Sequence, residues 1–168
     1  MQCVSTTSFS IAVNGDLYGF FPGKSGVWQG DPLSPYLFIY CIEYLSRMLI
    51  LACRQPGFRF HPKCGIHGIS HLAFADDVLL LYRGDYSSVN GISQQLTIFG
   101  KTVGLDINPS KSSIFFRGVS PSQKLSILHT TGFRKGCFPF TYLGVPLSPH
   151  RLLANQFFPL IHSLELSV

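Results

Sequence analysis

Apolar and polar positions alternate near the start of the chain. Every second residue from Phe9 to Val13 is apolar, which is the period of a β-strand with one covered face. Asn14 and Gly15 follow, and this pair is typical of a tight hairpin turn. The pattern therefore predicts a β-hairpin over residues 8–21, and a glycine-rich loop follows it.

The spacing of apolar residues then changes to three and four, which predicts helices. A first helix is expected from Ser34, which can cap it, with Pro35 at the first helical position. A second is expected over residues 87–103, ended by Gly104. Shorter elements are a strand at 113–116, a helix at 121–130, a strand at 142–143 and a helix at 152–164 interrupted by Pro159.

Two short apolar segments enclose a pair of adjacent acidic residues, Asp76 and Asp77. Residues 72–75 lead in and residues 78–82 lead out, which predicts a strand, a turn and a second strand. Strands and helices in this order, with the helices on one side, favour an α+β domain.

Composition changes the picture in one respect. Charged residues make up 12% of the chain, against about 25% in ordinary globular domains, and 46% of residues are hydrophobic. Mean hydropathy is +0.26. We interpret the chain as part of a larger protein that covers some of its faces; a small, apolar but complete domain is the alternative.

Net charge is +5 and the sequence pI is about 9.1. This permits a polyanionic partner, although the lysines and arginines form no run, and a mildly basic surface explains the charge equally well.

Compartment is indicated by the cysteines and by the absence of a leader pattern. The five cysteines form no CxxC pair and the first residues lack a basic region followed by an apolar run, so we expect reduced thiols in an intracellular protein. The most apolar segment, residues 36–53, contains Glu43 and Arg47, and we expect it not to span a membrane.

Asp76 and Asp77 are the residues that point most directly to chemistry. Adjacent carboxylates repel each other, and a divalent cation relieves that repulsion. Mg²⁺ prefers a few carboxylates together with phosphate oxygens. A solvated turn is the alternative, because aspartate suits tight turns.

Four sequence blocks resemble those of non-LTR (LINE-type) reverse transcriptases of plants. Residues 71–78, HLAFADDV, are similar to the FADD motif, and residues 26–35, GVWQGDPLSP, to the RQGDPLSP block. Residues 104–112, GLDINPSKS, resemble GLxxNxxKS, and residues 140–147, FTYLGVPL, resemble YLGxPL. The blocks occur in the family's order and at its usual spacing, and the resemblance covers almost the whole chain.

The resemblance implies a partial reverse transcriptase domain over residues 1–168. The expected fold is a palm-like antiparallel sheet with helices on one face, continuing toward the thumb, in an incomplete right-hand polymerase. The implied reaction is RNA-directed DNA synthesis with Mg²⁺ or Mn²⁺ as cofactor. The implied partners are an RNA template, a DNA primer, a dNTP and the fingers and thumb regions of a parent polyprotein, with no membrane. Nuclear localisation is implied in the same way.

The resemblance also assigns roles to single residues. Asp76 would be the principal metal ligand and Asp77 a secondary one. Lys111 resembles a lysine that neutralises or protonates the leaving pyrophosphate, although a solvated lysine after a turn explains it equally well. Residues expected near the nucleotide or template are Gln29, Gly30, Phe74 and Ala75.

The chain departs from the family in two places. The family's first metal carboxylate lies in an upstream KxDxxKAYD block that this sequence lacks, and Ser25 and Trp28 stand where the family usually has arginines. We therefore expect the chain alone to be inactive. An inactive retrotransposon remnant or a weak nucleic-acid-binding module stays open as an alternative. A zinc site at Cys53, His61, Cys64 and His67 is a further alternative, although its spacing fits no standard finger.

Overall fold

The computed structural model describes residues 8–23, 30 and 32–165. The strands are β1 Ser8–Val13, β2 Asp16–Pro22, β3 His71–Phe74, β4 Asp77–Leu80, β5 Ser113–Ile114, β6 Arg134–Lys135, β7 Phe140–Tyr142 and β8 Val145–Leu147. The α-helices are α1 Ser34–Cys53, α2 Tyr86–Val103, α3 Pro121–Thr131 and α4 Phe158–Glu165. Two 3₁₀-helices cover Gly65–His67 and Ala154–Phe157.

Strands of the described residues form four two-stranded sheets. Three are antiparallel hairpins, β1–β2, β3–β4 and β7–β8, and the fourth is the parallel pair β5–β6. The α+β class is confirmed, and the palm-like antiparallel pairing takes the form of these small sheets.

The chain divides into two compact units. The first comprises residues 1–83 and 91–107, and the second comprises residues 84–90 and 108–168.

The first unit has an apolar core between α1 and the C-terminal part of α2. Buried side chains three and four residues apart on each helix face one another, as the periodicity predicted. They are Leu45, Met48, Leu49, Ala52, Ile92, Leu96 and Phe99. Val78, Leu80 and Tyr82 pack against this cluster, so β4 is held to the core through its side chains.

The start of α1 differs from expectation by one residue. Leu33, not Ser34, is the N-cap residue, and it makes no side-chain capping bond. Pro35, predicted at the first helical position, is the second helical residue and still lies in the first turn. Ser34 is instead the first helical residue and is buried.

Residues 36–53, which we expected not to span a membrane, form most of α1. By length and composition alone, α1 could cross a bilayer. Its two charged residues, Glu43 and Arg47, form an exposed ion pair with an Oε1–Nε distance of 2.8 Å. Since Leu45, Met48, Leu49 and Ala52 pack in the core, a core helix explains the same composition.

The second unit is held by a short capped helix and an aromatic cluster. Ser120 caps α3: its hydroxyl accepts from the Gln123 backbone N–H, and the Gln123 side chain accepts from the Ser120 backbone N–H. The rings of Phe115 and Phe140 stack with centroids 3.9 Å apart, and Phe138 lies tilted against both.

Several predicted boundaries move in this unit. The strand expected at 113–116 ends at Ile114, and Leu143 lies in the β7–β8 turn with a φ of 51° instead of in a strand. Pro159 does not interrupt the last helix, because α4 begins at Phe158 and places the proline in its first turn, where no N–H is needed.

Candidate metal-binding hairpin and its relatives

The predicted strand-turn-strand around the two aspartates is confirmed as the hairpin β3–β4. His71 pairs with Leu80 at its open end, and Phe74 pairs with Asp77 next to the turn. The turn consists of Ala75 and Asp76 alone. Ala75 has a φ of 49°, a left-handed conformation that a residue with a side chain seldom adopts. A two-residue turn of this kind places Asp76 at the tip.

Both carboxylates of the hairpin are exposed. Asp76 lies in the turn, whereas Asp77 is the first residue of β4 and belongs to the strand ladder. Within the described residues, neither side chain has a hydrogen-bonding or ionic partner. Their oxygens are therefore available to a cation.

The two strands of the hairpin are held in different ways. Val78 and Leu80 of β4 pack on the core of the first unit. In β3, Leu72 is 44% exposed and Phe74 is 62% exposed, so apolar packing holds this strand weakly. Phe74, expected near the nucleotide or template, is thus a surface residue of the hairpin and not part of the apolar core.

His71, at the start of β3, holds this strand by hydrogen bonds where apolar packing is weak. Its Nε2 lies 2.9 Å from the Ser46 hydroxyl of α1, and its Nδ1 lies 2.9 Å from the Ser70 hydroxyl. Burial lowers the pKa of His71 below its usual 6.5. Sequence reasoning did not single out this histidine; a polar Ser70-His71 pair at the start of an apolar strand was the available signal.

The structure describes only some of the other residues that the sequence predicted for the site. Gly30 is exposed and has a φ of 94°, which suits glycine. Gln29 lies outside the described residues, as do Ser25 and Trp28. Ala75 is the exposed turn residue beside Asp76.

Lys111 belongs to the second unit and lies in a turn after α2. Its backbone N–H donates to the Asn108 carbonyl at 3.1 Å, and the Asn108 side-chain oxygen accepts from the backbone and hydroxyl of Ser110. The Lys111 side chain is exposed and has no acidic partner among the described residues.

A divalent cation is compatible with the hairpin. Two exposed and unpartnered carboxylates provide the hard oxygen donors that Mg²⁺ and Mn²⁺ prefer. The described residues contain no group of three or more histidine, cysteine or acidic side chains that could hold a metal. The hairpin therefore provides two carboxylates that could coordinate a cation, and no third metal-binding side chain is grouped with them among the described residues.

The zinc alternative is not supported. His61 and Cys64 are close, with 3.7 Å between Nδ1 and Sγ. Burial raises the pKa of the Cys53 thiol by more than its hydrogen bond to Ser70 lowers it, so the thiolate that zinc requires is disfavoured. No group of three metal-binding side chains is found at these residues.

An α+β fold whose antiparallel hairpin presents adjacent carboxylates is compatible with a fragment of a polymerase palm. Residues 1–147 match the family "Reverse transcriptase (RNA-dependent DNA polymerase)". The match covers most of the chain, and the chain belongs to this family.

Two curated relatives are Pol polyproteins of R2 retrotransposable elements, which agrees with the reverse transcriptase family. The chain is 35% identical over 156 residues to "Retrovirus-related Pol polyprotein from type-1 retrotransposable element R2" of Popillia japonica, covering 88% of this chain and 25% of the relative. It is 33% identical over 129 residues to the Pol polyprotein of the type-2 element R2DM of Drosophila melanogaster, covering 74% and 11%. The predicted resemblance to non-LTR reverse transcriptases is confirmed.

A third relative is an uncharacterised mitochondrial protein of Arabidopsis thaliana. It is 46% identical over 68 residues, which is 39% of this chain and 54% of the relative. The chain thus spans about a quarter, a half and a tenth of the lengths of these three relatives.

Proposed function

We propose that this chain is the palm portion of an RNA-directed DNA polymerase, and that Asp76 and Asp77 bind its catalytic Mg²⁺ or Mn²⁺. The observation that carries the proposal is the pair of exposed, unpartnered carboxylates at the β3–β4 turn. Because the turn contains two residues only, it presents both carboxylates at the end of a hairpin whose second strand packs on the core.

The cations, when bound, would activate a primer hydroxyl and stabilise the leaving pyrophosphate. The chain's own contribution is to hold the ligands. Asp77 is fixed by its pairing with Phe74, and Asp76 is fixed by the conformation of Ala75. Asp76 would be the principal ligand and Asp77 the secondary one.

Further residues are proposed for substrate contacts. Gln29 and Gly30 would lie near the nucleotide and template, Phe74 and Ala75 would border the site, and Lys111 would neutralise the pyrophosphate. The exposure of Gly30, Phe74, Ala75 and Lys111 supports these roles, since each can be reached from solvent.

The proposed partners are an RNA template, a DNA primer and a dNTP. The charge of the second unit supports a polyanionic partner, because it has six basic residues and only two acidic ones, Asp85 and Glu165. No basic side chain described in this unit is paired with a carboxylate. The basic residues are Lys111, Arg117, Lys124, Arg134, Lys135 and Arg151.

The rest of the machinery would lie in other polypeptide. Since the first relative is a Pol polyprotein of which this chain spans a quarter, we propose that a parent polyprotein supplies the third carboxylate, the fingers and the thumb. A plant source and an intracellular, nuclear location are proposed on the same basis, the former supported by the Arabidopsis relative.

Mn²⁺ binding tests the metal site directly. We expect Mn²⁺ to broaden the amide NMR signals of Asp76 and Asp77 in the full chain. Asp76→Asn should weaken this binding at least about tenfold, the lower end of what even indirect ligand changes cause. Asp16→Asn, an exposed acid in another hairpin, is the matched control. Equal Mn²⁺ binding by Asp76→Asn would refute the site.

Primer extension tests the activity. The chain should be assayed alone and with the remaining segments of a related Pol polyprotein. Extension that requires Asp76 supports the polymerase. RNA binding that falls with salt but never leads to extension, even with those segments, would instead support the nucleic-acid-binding alternative.

A further inference from the structure

The contacts of His71 suggest a function for a residue remote from the carboxylates. The hairpin is anchored to α1 by a chain of four polar side chains. The Ser46 hydroxyl bonds to His71 Nε2, His71 Nδ1 bonds to the Ser70 hydroxyl, and Ser70 bonds to Cys53. Ser46 and Cys53 lie seven residues apart, or two turns, on the same side of α1.

We propose that His71 is a positioning residue that fixes β3 against α1 and thereby sets where the hairpin presents Asp76. The part concerning the metal rests on the proposed function, whereas the anchoring of β3 does not. Three features support this role for β3: its other side chains are exposed, Ser70 is buried, and the Ser70 carbonyl accepts from the Leu81 N–H at 2.7 Å.

The position of Asp76 at the tip of the hairpin depends on how the open end is held at His71. Asp76 lies five residues from His71, which is about 15 Å along a strand. A rotation of roughly 4° at His71 would therefore move the tip by about 1 Å. A displacement of about 1 Å is enough to disturb a catalytic arrangement severely.

Ring chemistry favours histidine at this point. Burial lowers the pKa of His71, so the neutral ring, with one donor and one acceptor nitrogen, predominates at neutral pH. Each serine hydroxyl can donate or accept, and both bonds form with either tautomer. A glutamine offers a donor and an acceptor on a similar length of side chain, whereas alanine offers neither.

Hydrogen exchange in the absence of metal tests the anchoring. His71→Ala should speed the exchange of β3–β4 amides about 2–10-fold, the range expected for one net hydrogen bond. The amides of Leu49 and Ile92 in the core should be unchanged. His71→Gln should restore much of the protection, and His67→Ala, an exposed histidine, is the control. Ser46→Ala removes the same contact from α1 and is the milder variant should His71→Ala fail to fold.

Mn²⁺ affinity tests the consequence for the site. His71→Ala and Ser46→Ala should each weaken Mn²⁺ binding about 2–10-fold, and the double variant should lose little more than either alone. Glutamine should recover the affinity. Unchanged hairpin exchange, or equally faster exchange in hairpin and core, would overturn the positioning role. Faster hairpin exchange in a chain that never binds Mn²⁺ would leave the anchor intact and reject the metal site instead.

Discussion

Phe74 and Asp77 are paired directly across the turn that carries Asp76. The pairing places the two neighbouring carboxylates in different settings, since Asp77 belongs to the ladder and Asp76 to the turn. Successive strand residues point to opposite faces, so two ladder aspartates would diverge. A two-residue turn removes that constraint from Asp76. The hairpin can thus offer consecutive acids to one region of solvent.

Ala75 is the residue whose backbone makes this turn possible. Its φ of 49° disfavours β-branched side chains. We expect Ala75→Val to lower the free energy of unfolding by about 1–2 kcal/mol, and Ala75→Gly to leave it unchanged or raise it by up to ~1 kcal/mol. Urea denaturation of the three proteins checks both. A valine variant as stable as wild type would mean that the turn adopts another conformation.

The hairpin was predictable because its signal is local. Two apolar segments and an acidic pair define a strand, a turn and a strand. The structure has these elements one residue earlier than predicted, because Ala75 and Asp76 form the turn and Asp77 begins β4. The α2 bounds and the Gly104 cap were predictable for the same reason: Gly104 has a φ of 75° and its N–H donates to the Gly100 carbonyl.

Long-range contacts could not be predicted in this way. The bond between His71 and Ser46 joins residues 25 positions apart, and nothing in the spacing of either shows it. The parallel pairing of Ser113 with Arg134 and the stacking of Phe115 on Phe140 likewise depend on tertiary structure. The roles of Asp76, Asp77 and Lys111 stay predictions until binding is measured.

Because of Tyr82, the free energy of unfolding of the first unit should depend on pH in the alkaline range. Burial raises the pKa of its hydroxyl from 10.0 to about 12. Above pH 10 the unfolded chain ionises first, so the free energy of unfolding is fully retained below pH 10 and falls as pH rises toward 12. Two pKa units correspond to at most about 2–3 kcal/mol.

The Tyr82→Phe variant should lose this dependence. Its free energy of unfolding, relative to wild type, should rise between pH 10 and 12 and stay level below pH 9. Tyr36→Phe removes a hydroxyl from a 64% exposed side chain and is the control. Parallel pH profiles for wild type and Tyr82→Phe, measured by urea denaturation, would contradict the prediction.

Gly136 leaves room for the aromatic cluster of the second unit. A Cβ at Gly136 would clash with the ring of Phe115, and that ring is stacked on Phe140. Because the ring cannot move away freely, Gly136→Ala should lower the free energy of unfolding by about 1–3 kcal/mol.

Gly91→Ala is a matched control that should instead raise the free energy of unfolding. Gly91 lies inside α2 with no described atom within 4 Å of a new Cβ, and alanine there should stabilise by about 0.5–1 kcal/mol. Thermal unfolding of both variants decides the matter, and equal effects would contradict the packing argument.

Arg134 and Lys135 form the exposed basic strand β6 of the second unit. They are consecutive, and no described carboxylate pairs with either. If this strand contacts a nucleic-acid backbone, replacing both with glutamine should weaken binding to single-stranded RNA. It should also make the slope of log K against log salt shallower by about 1.4, since each phosphate contact on a single strand contributes about 0.7.

Fluorescence anisotropy between 50 and 200 mM salt (roughly the range in which such contacts dominate) measures both the affinity and the salt slope. Replacing Arg54 and Lys63, exposed basic residues of the first unit, removes the same charge and is the control. Equal losses in the two double variants would show that only net charge matters and that β6 makes no specific contact.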